Sequence, residues 1–423
     1  MWVKMDTLVA CAAAVLVGGL ISAGYAHAAL NLRGAEEIAL QMNPVLRADR
    51  YTVARARGRV QQARLWPNPH LTASGTIGSA LGTPGEYSAQ VLLTQAIPLT
   101  ARIARRTDAA EMEVLWRKAQ FASRRWRVTA AVARAYYRVV VAHLATHRMT
   151  RLVRADRRLL ALSRQRYKAA QVSLLTVNSA ELLLASAQLT RSQWSAREQR
   201  ARTTLVARMG RAPSKPWHLT AILPTLQVPP WSIAQKLAFQ DRPDLVAARW
   251  QVAYTRATHR YERARRLGAV TVGAGVAVGR QVLQGLPPQP LDRALALSLS
   301  VPLPFWNRHQ GDRERTQAQW QQAQARRRAL HWQVAHQLKQ DLLTFNALKG
   351  RLGPYQKLSL QARQTTHLAL QGFALGQVRT ATTINIFTAE LRINDAYLRT
   401  LKRTVLARIA VAVDMGGPHG GQL

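Results

Sequence analysis

Asn43-Pro44-Val45-Leu46-Arg47-Ala48 recurs 199 residues later as Arg242-Pro243-Asp244-Leu245-Val246-Ala247. The same offset carries Ala54 onto Ala253 and the Leu71-Thr72 step onto Val270-Thr271. Further along, Ile97-Pro98-Leu99 matches Val301-Pro302-Leu303. Near the end of each half, Ala180-Glu181-Leu182-x-Leu184-x-x-Ala187-x-Leu189 matches Ala389-Glu390-Leu391-x-Ile393-x-x-Ala396-x-Leu398. Four matched segments in one order describe a tandem duplication of a unit of about 200 residues. The first unit spans 29–211 and the second 232–417, with a linker at 212–231 and a tail at 418–423.

Each unit opens with an amphipathic helix, about 33–65 and 232–266, carrying the x-Pro-x-Leu step near its start. The texture then changes. From Pro67 to Ala101 the only charged residue is Glu86, in a chain that is 19% charged. Leu71, Ala73, Gly75 and Ile77 alternate with Thr72, Ser74 and Thr76, the period of a strand. Turn residues follow from Gly78 to Gly85, and Val91 to Ile97 runs back. In the second unit Val270, Val272, Ala274, Val276 and Val278 alternate with small residues. Leu295, Leu297, Leu299 and Val301 do so again after the Pro-rich loop 285–290. The spacing predicts two hairpins, 69–99 and 269–303, with strands about ten residues long, enough to cross a bilayer when tilted.

After each hairpin the sequence turns helical for a long distance. Residues 101–168 contain no proline and no glycine. Val128, Val132, Ala135, Val139 and Ala142 step by four and three, and Met149, Val153 and Leu160 continue the register. Thr146, Asp156 and Ser163 interrupt the stripe at intervening seam positions. Such a seam predicts coiled-coil packing of a rod roughly 100 Å long. The second unit repeats the rod at 313–372, where Gly350, Gly353 and Pro354 predict a bend or interruption. Returning helices follow at 175–209 and 382–414, ending at Gly210 and Gly416.

Sixty Lys+Arg against 21 Asp+Glu leave a net charge of +39 on 423 residues. The single cysteine, Cys11, excludes a disulfide framework and any cysteine-based zinc ribbon. Lys4, the uncharged run Leu8–Leu20 and Ala26-His27-Ala28 have the form of a secretory signal over residues 1–28. A membrane anchor is the alternative, although the run falls short of the ~20 residues a spanning helix needs. Leu8-Val9-Ala10-Cys11 has the spelling of a lipoprotein box, but too little apolar sequence precedes it. Four charge-poor strands between charge-rich helices on an exported chain point to a membrane β-structure. Aromatics border it: Trp66 before the first strand, Phe305 and Trp306 after the fourth. Four strands cannot close a barrel, and lipid tolerates no open edge, so the chain is one stave of an oligomeric barrel.

His143 and His147 lie four apart on one rod face, without a neighbouring glutamate or a visible third ligand, and read as solvated histidines. The sequence holds no phosphate loop, nucleophile elbow or paired-carboxylate site, so it predicts no enzyme, no cofactor and no metal site. The basic rod supports a rival class, a nucleic-acid-binding coiled coil, with 18 Lys+Arg against 4 Asp+Glu over 101–168. The export signal and the uncharged strands oppose it. Arginine keeps its charge at every relevant pH, so an excess of arginine over acids also suits an acidic exterior.

From about Leu32 to Gly417 the chain resembles the TolC-like outer-membrane efflux proteins, the exit ducts of tripartite pumps. The resemblance rests on Asn43-Pro44, Arg242-Pro243-Asp244-Leu245, Pro67-Asn68-Pro69 and Ile97-Pro98-Leu99. Val301-Pro302-Leu303-Pro304-Phe305-Trp306-Asn307-Arg308 with Gly311, and Val177-Asn178-x-Ala180-Glu181, are similar to the heavy-metal (cobalt-zinc-cadmium type) branch. It implies a mainly α fold with membrane β: a helical tunnel across the periplasm and a homotrimer with a 12-stranded barrel in outer-membrane lipid. It also implies a periplasmic adaptor and an inner-membrane RND pump as partners, no nucleic acid, and passive conduction of heavy-metal ions. Drug efflux and type I secretion are the alternatives. In the family the adaptor docks at helical turns of the form aromatic-x-x-Gly-x-x-Ser/Thr. Their counterparts here are Tyr167, Ala170, Gln171 and Ser173 in the first turn, and Phe373, Gly376, Gln377 and Thr380 in the second. Ala170 in place of glycine implies a different turn or a small strain. Where many members carry acids at the periplasmic entrance, this chain has Thr176, Asn178 and Asn385, with Glu181 and Glu390 the nearest carboxylates.

Overall fold

The structure, a computed structural model, describes residues 30–78, 85–210, 219–282, 287 and 289–417. The expected leader with Cys11, the tail and the first part of the linker lie outside the described residues. Two short helices open the chain, α1 (Leu32–Met42) and α2 (Pro44–Arg64). Strands β1 (His70–Ile77) and β2 (Tyr87–Pro98) precede the long α3 (Arg102–Lys168) and the returning α4 (Leu174–Met209). The order repeats as α5 (Trp231–Asp241), α6 (Pro243–Ala264), β3 (Ala269–Arg280), β4 (Asp292–Ser300), α7 (Gln310–Ala374) and α8 (Thr380–Asp414).

Two local expectations are corrected. The opening helix of each half is two helices, broken at Asn43 and at Arg242. Both residues are extended, with φ/ψ of −62/120° and −68/114°. The ring of the following proline disfavours helical geometry for the residue before it, and Pro44 and Pro243 each start a new helix. The second rod, by contrast, is not interrupted: α7 runs through Pro354. Pro354 removes one hydrogen bond, to Gly350, and a Cβ added at Gly350 or Gly353 would meet no atom beyond their own helical turn within 4 Å.

The described chain divides into two units, and each sequence half contributes to both. The first unit comprises residues to Arg47, 124–242 and 334 onward. Its core joins Ala35 and Ala39 of α1, Val132, Ala135 and Val139 of α3, Leu205 and Met209 of α4, and Val405, Ile409 and Val413 of α8. Apart from half-buried Val128, the apolar positions of the heptad seam read on α3 are buried, including Met149, Val153 and Leu160. Of its three polar interruptions, Asp156 and Ser163 are buried with it and Thr146 is half-buried. Asn43 caps α2 through its side-chain oxygen, bonded to the Val45 amide at 3.0 Å, and its amide donates to the Arg208 carbonyl at 3.2 Å. Gly210, at φ 71°, ends α4 so close to Met42 and Asn43 that a Cβ would sit 2.9 Å from their backbone.

The second unit comprises 48–123 and 243–333. Its sheet is antiparallel throughout, in the order β1-β2-β3-β4. Around the roots of the strands, Arg59 pairs with Glu113 at 2.6 Å, Trp116 stacks on Tyr254 with centroids 5.1 Å apart, and the Thr100 hydroxyl donates to the Ala264 carbonyl at 2.8 Å. Among the described residues no helix is long and apolar enough to cross a membrane.

Candidate functional site

The register of the sheet sorts its residues by face. Leu71 is opposite Leu93, Val91 opposite Val276, Val276 opposite Leu295, and Leu297 opposite Ala274. Since side chains alternate along each strand, Leu71, Ile77, Val91, Leu93, Val272, Val276, Leu295, Leu297 and Leu299 share one face. All of these are exposed, Leu295 and Leu297 to 84%. The opposite face carries Thr72, Ser74, Thr76, Ser88, Gln90, Thr94, Ser298 and Ser300 with glycine, alanine and one large apolar residue, Leu92; the Thr76 and Ser88 hydroxyls hydrogen-bond there at 2.7 Å. Gly275 belongs to this small-residue face, where a Cβ would collide with the Val91 carbonyl oxygen. Within the described chain β1 and β4 each have one unpaired edge. Trp66 precedes β1, and Phe305 and Trp306 follow β4; all three are exposed, and Phe305 and Trp306 meet edge to face at 6.1 Å. Such a sheet has an apolar face far too extensive for water, polar small residues behind it, and an aromatic border.

The helical turns that join α3 to α4 and α7 to α8 are the other candidate, and the two share one geometry. The Gln171 amide donates to the Arg166 carbonyl at 2.8 Å and the Ala170 amide to Tyr167 at 2.9 Å. At the second turn Gln377 donates to Gly372 at 2.8 Å and Gly376 to Phe373 at 3.2 Å. This paired 6→1 and 5→2 bonding requires a left-handed residue, which is Gly376 at φ 78° and Ala170 at φ 57°. The alternative of a different first turn is therefore excluded: the same turn forms, with alanine bearing the strain.

The aromatic positions differ. Tyr167 is 44% exposed, whereas Phe373 is 1% exposed and packs with Leu159, Leu183 and Phe387. A residue that sequence spacing did not single out joins the turns: Arg166 donates to the Phe373 carbonyl oxygen and, at 3.1 Å, to the Gln171 side chain, with its guanidinium 4.9 Å from the Phe373 ring centroid. Its signal is a cation in the last turn of a helix, where carbonyls lack partners. Gln171, Ser173, Gly376 and Gln377 are exposed and Thr380 is half-buried. Asn178 and Asn385 are exposed on the first turns of the returning helices, but Thr176 is buried and its hydroxyl lies 3.5 Å from that of Ser173. Neither nearby carboxylate is free at the entrance. Glu181 pairs with Arg164 at 2.6 Å, and Glu390 is buried.

His143 is not a solvated histidine: its Nδ1 lies 3.0 Å from Glu198, which also pairs with Arg202 at 3.0 Å. Among the described residues no group of three His, Cys, Asp or Glu side chains is arranged to hold a metal. Buried acids lie elsewhere in the helical unit. Burial pushes the carboxyls of Glu36, Asp156 and Asp414 up to about 7. A hydrogen bond to Asp341 reinforces this at Asp414, so that Arg242, 3.3 Å away, does not bring the carboxyl back down.

The profile of the family described as outer membrane efflux protein matches residues 37–211 and 235–405. No curated protein sequence matches the chain significantly. Among solved structures, CusC is similar with a TM-score of 0.73 at 15% identity, covering 91% of this chain and 92% of that one. The outer membrane protein VceC of Vibrio cholerae gives 0.70 at 19% identity, covering 91% and 96%. The open-state outer membrane channel MtrE of Neisseria gonorrhoeae gives 0.70 at 19% identity, covering 92% and 89%. Drug- and metal-associated branches are not separated by likenesses this distant, which establish the fold.

Proposed function

We propose that this chain, which belongs to the outer membrane efflux protein family, closes its barrel as a homotrimer and is the exit duct of a tripartite RND-type pump. As a member of that family it is an efflux channel of the Gram-negative outer membrane, and the family is not an enzyme class. The observation that carries the trimer is the four-stranded sheet with one bare apolar face and an unpaired strand at each edge. Pairing β4 of one copy with β1 of the next satisfies both edges, and three copies supply twelve strands. Leu175, Leu182 and Leu189, spaced by seven on α4 and each at least 66% exposed, supply a matching apolar seam for a neighbouring copy.

The turns at Ala170 and Gly376 are the docking points for a periplasmic adaptor, with Tyr167, Gln171, Ser173, Gln377 and Thr380 around them. Phe373 supports the second turn from beneath rather than touching the partner. Heavy-metal ions are the cargo favoured by the sequence around Val301–Arg308 and Val177–Glu181. Neutral Asn178 and Asn385 leave selection among cargoes to the pump. The test is a strain lacking this chain, complemented with it and challenged with divalent metals and with organic drugs. Restored metal resistance supports the cargo assignment, and restored drug resistance alone overturns it. Recovery of the chain as a soluble monomer overturns the duct and revives nucleic-acid binding.

A further inference from the structure

A cavity of about 240 Å³ opens among α3, α7 and α8 in the helical unit. Arg148, Arg151 and Arg158 line it from α3, Arg363 and His367 from α7, and Glu390 from α8. Four guanidiniums thus share one carboxylate among the lining residues. Among the described residues none of the four arginines has a carboxylate within ion-pairing distance. Arg148, half-buried, donates to the neutral Ser359 hydroxyl and lies over the Tyr397 ring at 4.7 Å. Burial disfavours its ionised form most; Tyr397 opposes that, while the charges of Arg151 and Arg363 add to it. Arginine nonetheless stays protonated, so the cavity wall keeps its positive charge.

Glu390 is the one carboxylate lining the cavity, and it lies outside ion-pairing distance of all four arginines. Its carboxyl is pushed up by burial, against the pull of a Thr366 hydrogen bond and of Arg363 and Arg148. Asn394 is already committed: its amide donates to the Glu390 carbonyl at 2.9 Å and its oxygen accepts from Ser359 at 3.1 Å.

We propose that this cavity is a binding site for one small oxyanion of the phosphate or sulfate class per chain. The volume lies below the ~300 Å³ where pockets for drug-sized ligands begin, and suits a compact anion with its waters. Planar guanidinium forks present paired donors that match an oxyanion's edges, which lysine does not. Arg148 forms the partly buried base, and the exposed Arg151, Arg158 and Arg363 surround the opening. The site needs only this unit of one chain, so it stands or falls independently of the trimer and of the cargo.

The test is calorimetric titration of the detergent-solubilised full-length assembly with inorganic phosphate at constant ionic strength. Saturable binding at one per chain is expected, with sulfate competing and chloride not. Arg151→Gln and Arg363→Gln, both at exposed positions, are each expected to weaken it about tenfold and together to abolish it. Arg57→Gln, in the other unit, leaves the affinity unchanged. Far-ultraviolet circular dichroism confirms that the variants keep their helix. Absence of saturable heat overturns the proposal, as does unchanged affinity in the folded double variant. Acetate binding as tightly as phosphate overturns it too, since the cavity then takes a protein carboxylate.

Discussion

Alanine and glycine occupy the same left-handed position in two turns closed by the same pair of backbone bonds, so exchanging them in opposite directions is a controlled experiment. Ala170 sits at φ 57°, and an L-residue there costs about 1–2 kcal/mol relative to right-handed backbone. Ala170→Gly removes that cost but adds conformational freedom to the opened chain, worth about 0.4–1 kcal/mol in the other direction. The net expectation is stabilisation of the first turn by about 0.5–1 kcal/mol. Gly376→Ala incurs the reverse. Its new Cβ meets nothing closer than Arg166 Nη2 at 3.5 Å, an ordinary contact, so the backbone alone decides the sign. Hydrogen exchange of the Gln171 and Gln377 amides reads each turn locally, because both amides close the 6→1 bond. Protection of Gln171 should rise about two- to fivefold in Ala170→Gly, and that of Gln377 should fall by a similar factor in Gly376→Ala. Two changes of the same sign, or no change in either, would refute the assignment of strain to Ala170.

Arg166→Lys, which keeps the charge but loses the fork, should free the Phe373 carbonyl and cost the tip about 1–2 kcal/mol, seen as faster exchange at Leu375–Val378. Gly210→Val meets both a positive φ and backbone at 2.9 Å; it should destabilise the helical unit by more than ~3 kcal/mol and lower the thermal midpoint accordingly. The carboxyls of Glu36, Asp156 and Asp414 stand at about 7 folded, against about 4 unfolded. Between those values the folded chain binds more protons, so stability should rise as pH falls from 8 to 5 and level off below about 4. Glu198 opposes this at the acid end: although burial raises its carboxyl, hydrogen bonds from His143, Arg202 and Thr146 bring it down, and its contribution is lost as pH falls through that lowered value. Asp156→Asn should flatten the slope and stabilise the assembly at pH 8 by something of order 1 kcal/mol, measured by thermal unfolding; an assembly that weakens steadily from pH 8 to 5 would contradict the sign.

The architecture was legible because its signals are long-range and redundant. A repeated x-Pro-x-Leu step, a charge-poor stretch from Pro67 to Ala101 and a heptad seam over Val128–Leu160 all point the same way. The sidedness of the strands followed from alternation, and the observed register keeps Leu71 and Leu297 off the polar face. The helix break at Asn43 was missed because periodicity continues across it, although the following proline carries the information. At Pro354 the interruption that the sequence allowed does not occur, because one helix continues through a residue of low propensity. The candidate sites were less legible. Tyr167 and Phe373 occupy equivalent sequence positions, but only packing against Phe387 and Leu183 decides that one is buried. Arg166, and the convergence of Arg148 with Arg363, join residues more than two hundred positions apart, and no local pattern encodes such meetings.

The central claim is that the exposed edges of β1 and β4 pair between copies in the outer membrane. Cys11, in the expected leader, is the chain's only cysteine, so cysteines introduced together at Thr72 on β1 and Ser298 on β4 are readily traced. Oxidation in intact outer membranes should yield linked dimers and trimers and nothing larger, and either single variant should yield none. Failure of the double variant to link, or a ladder extending past three chains, would contradict the closed trimeric barrel.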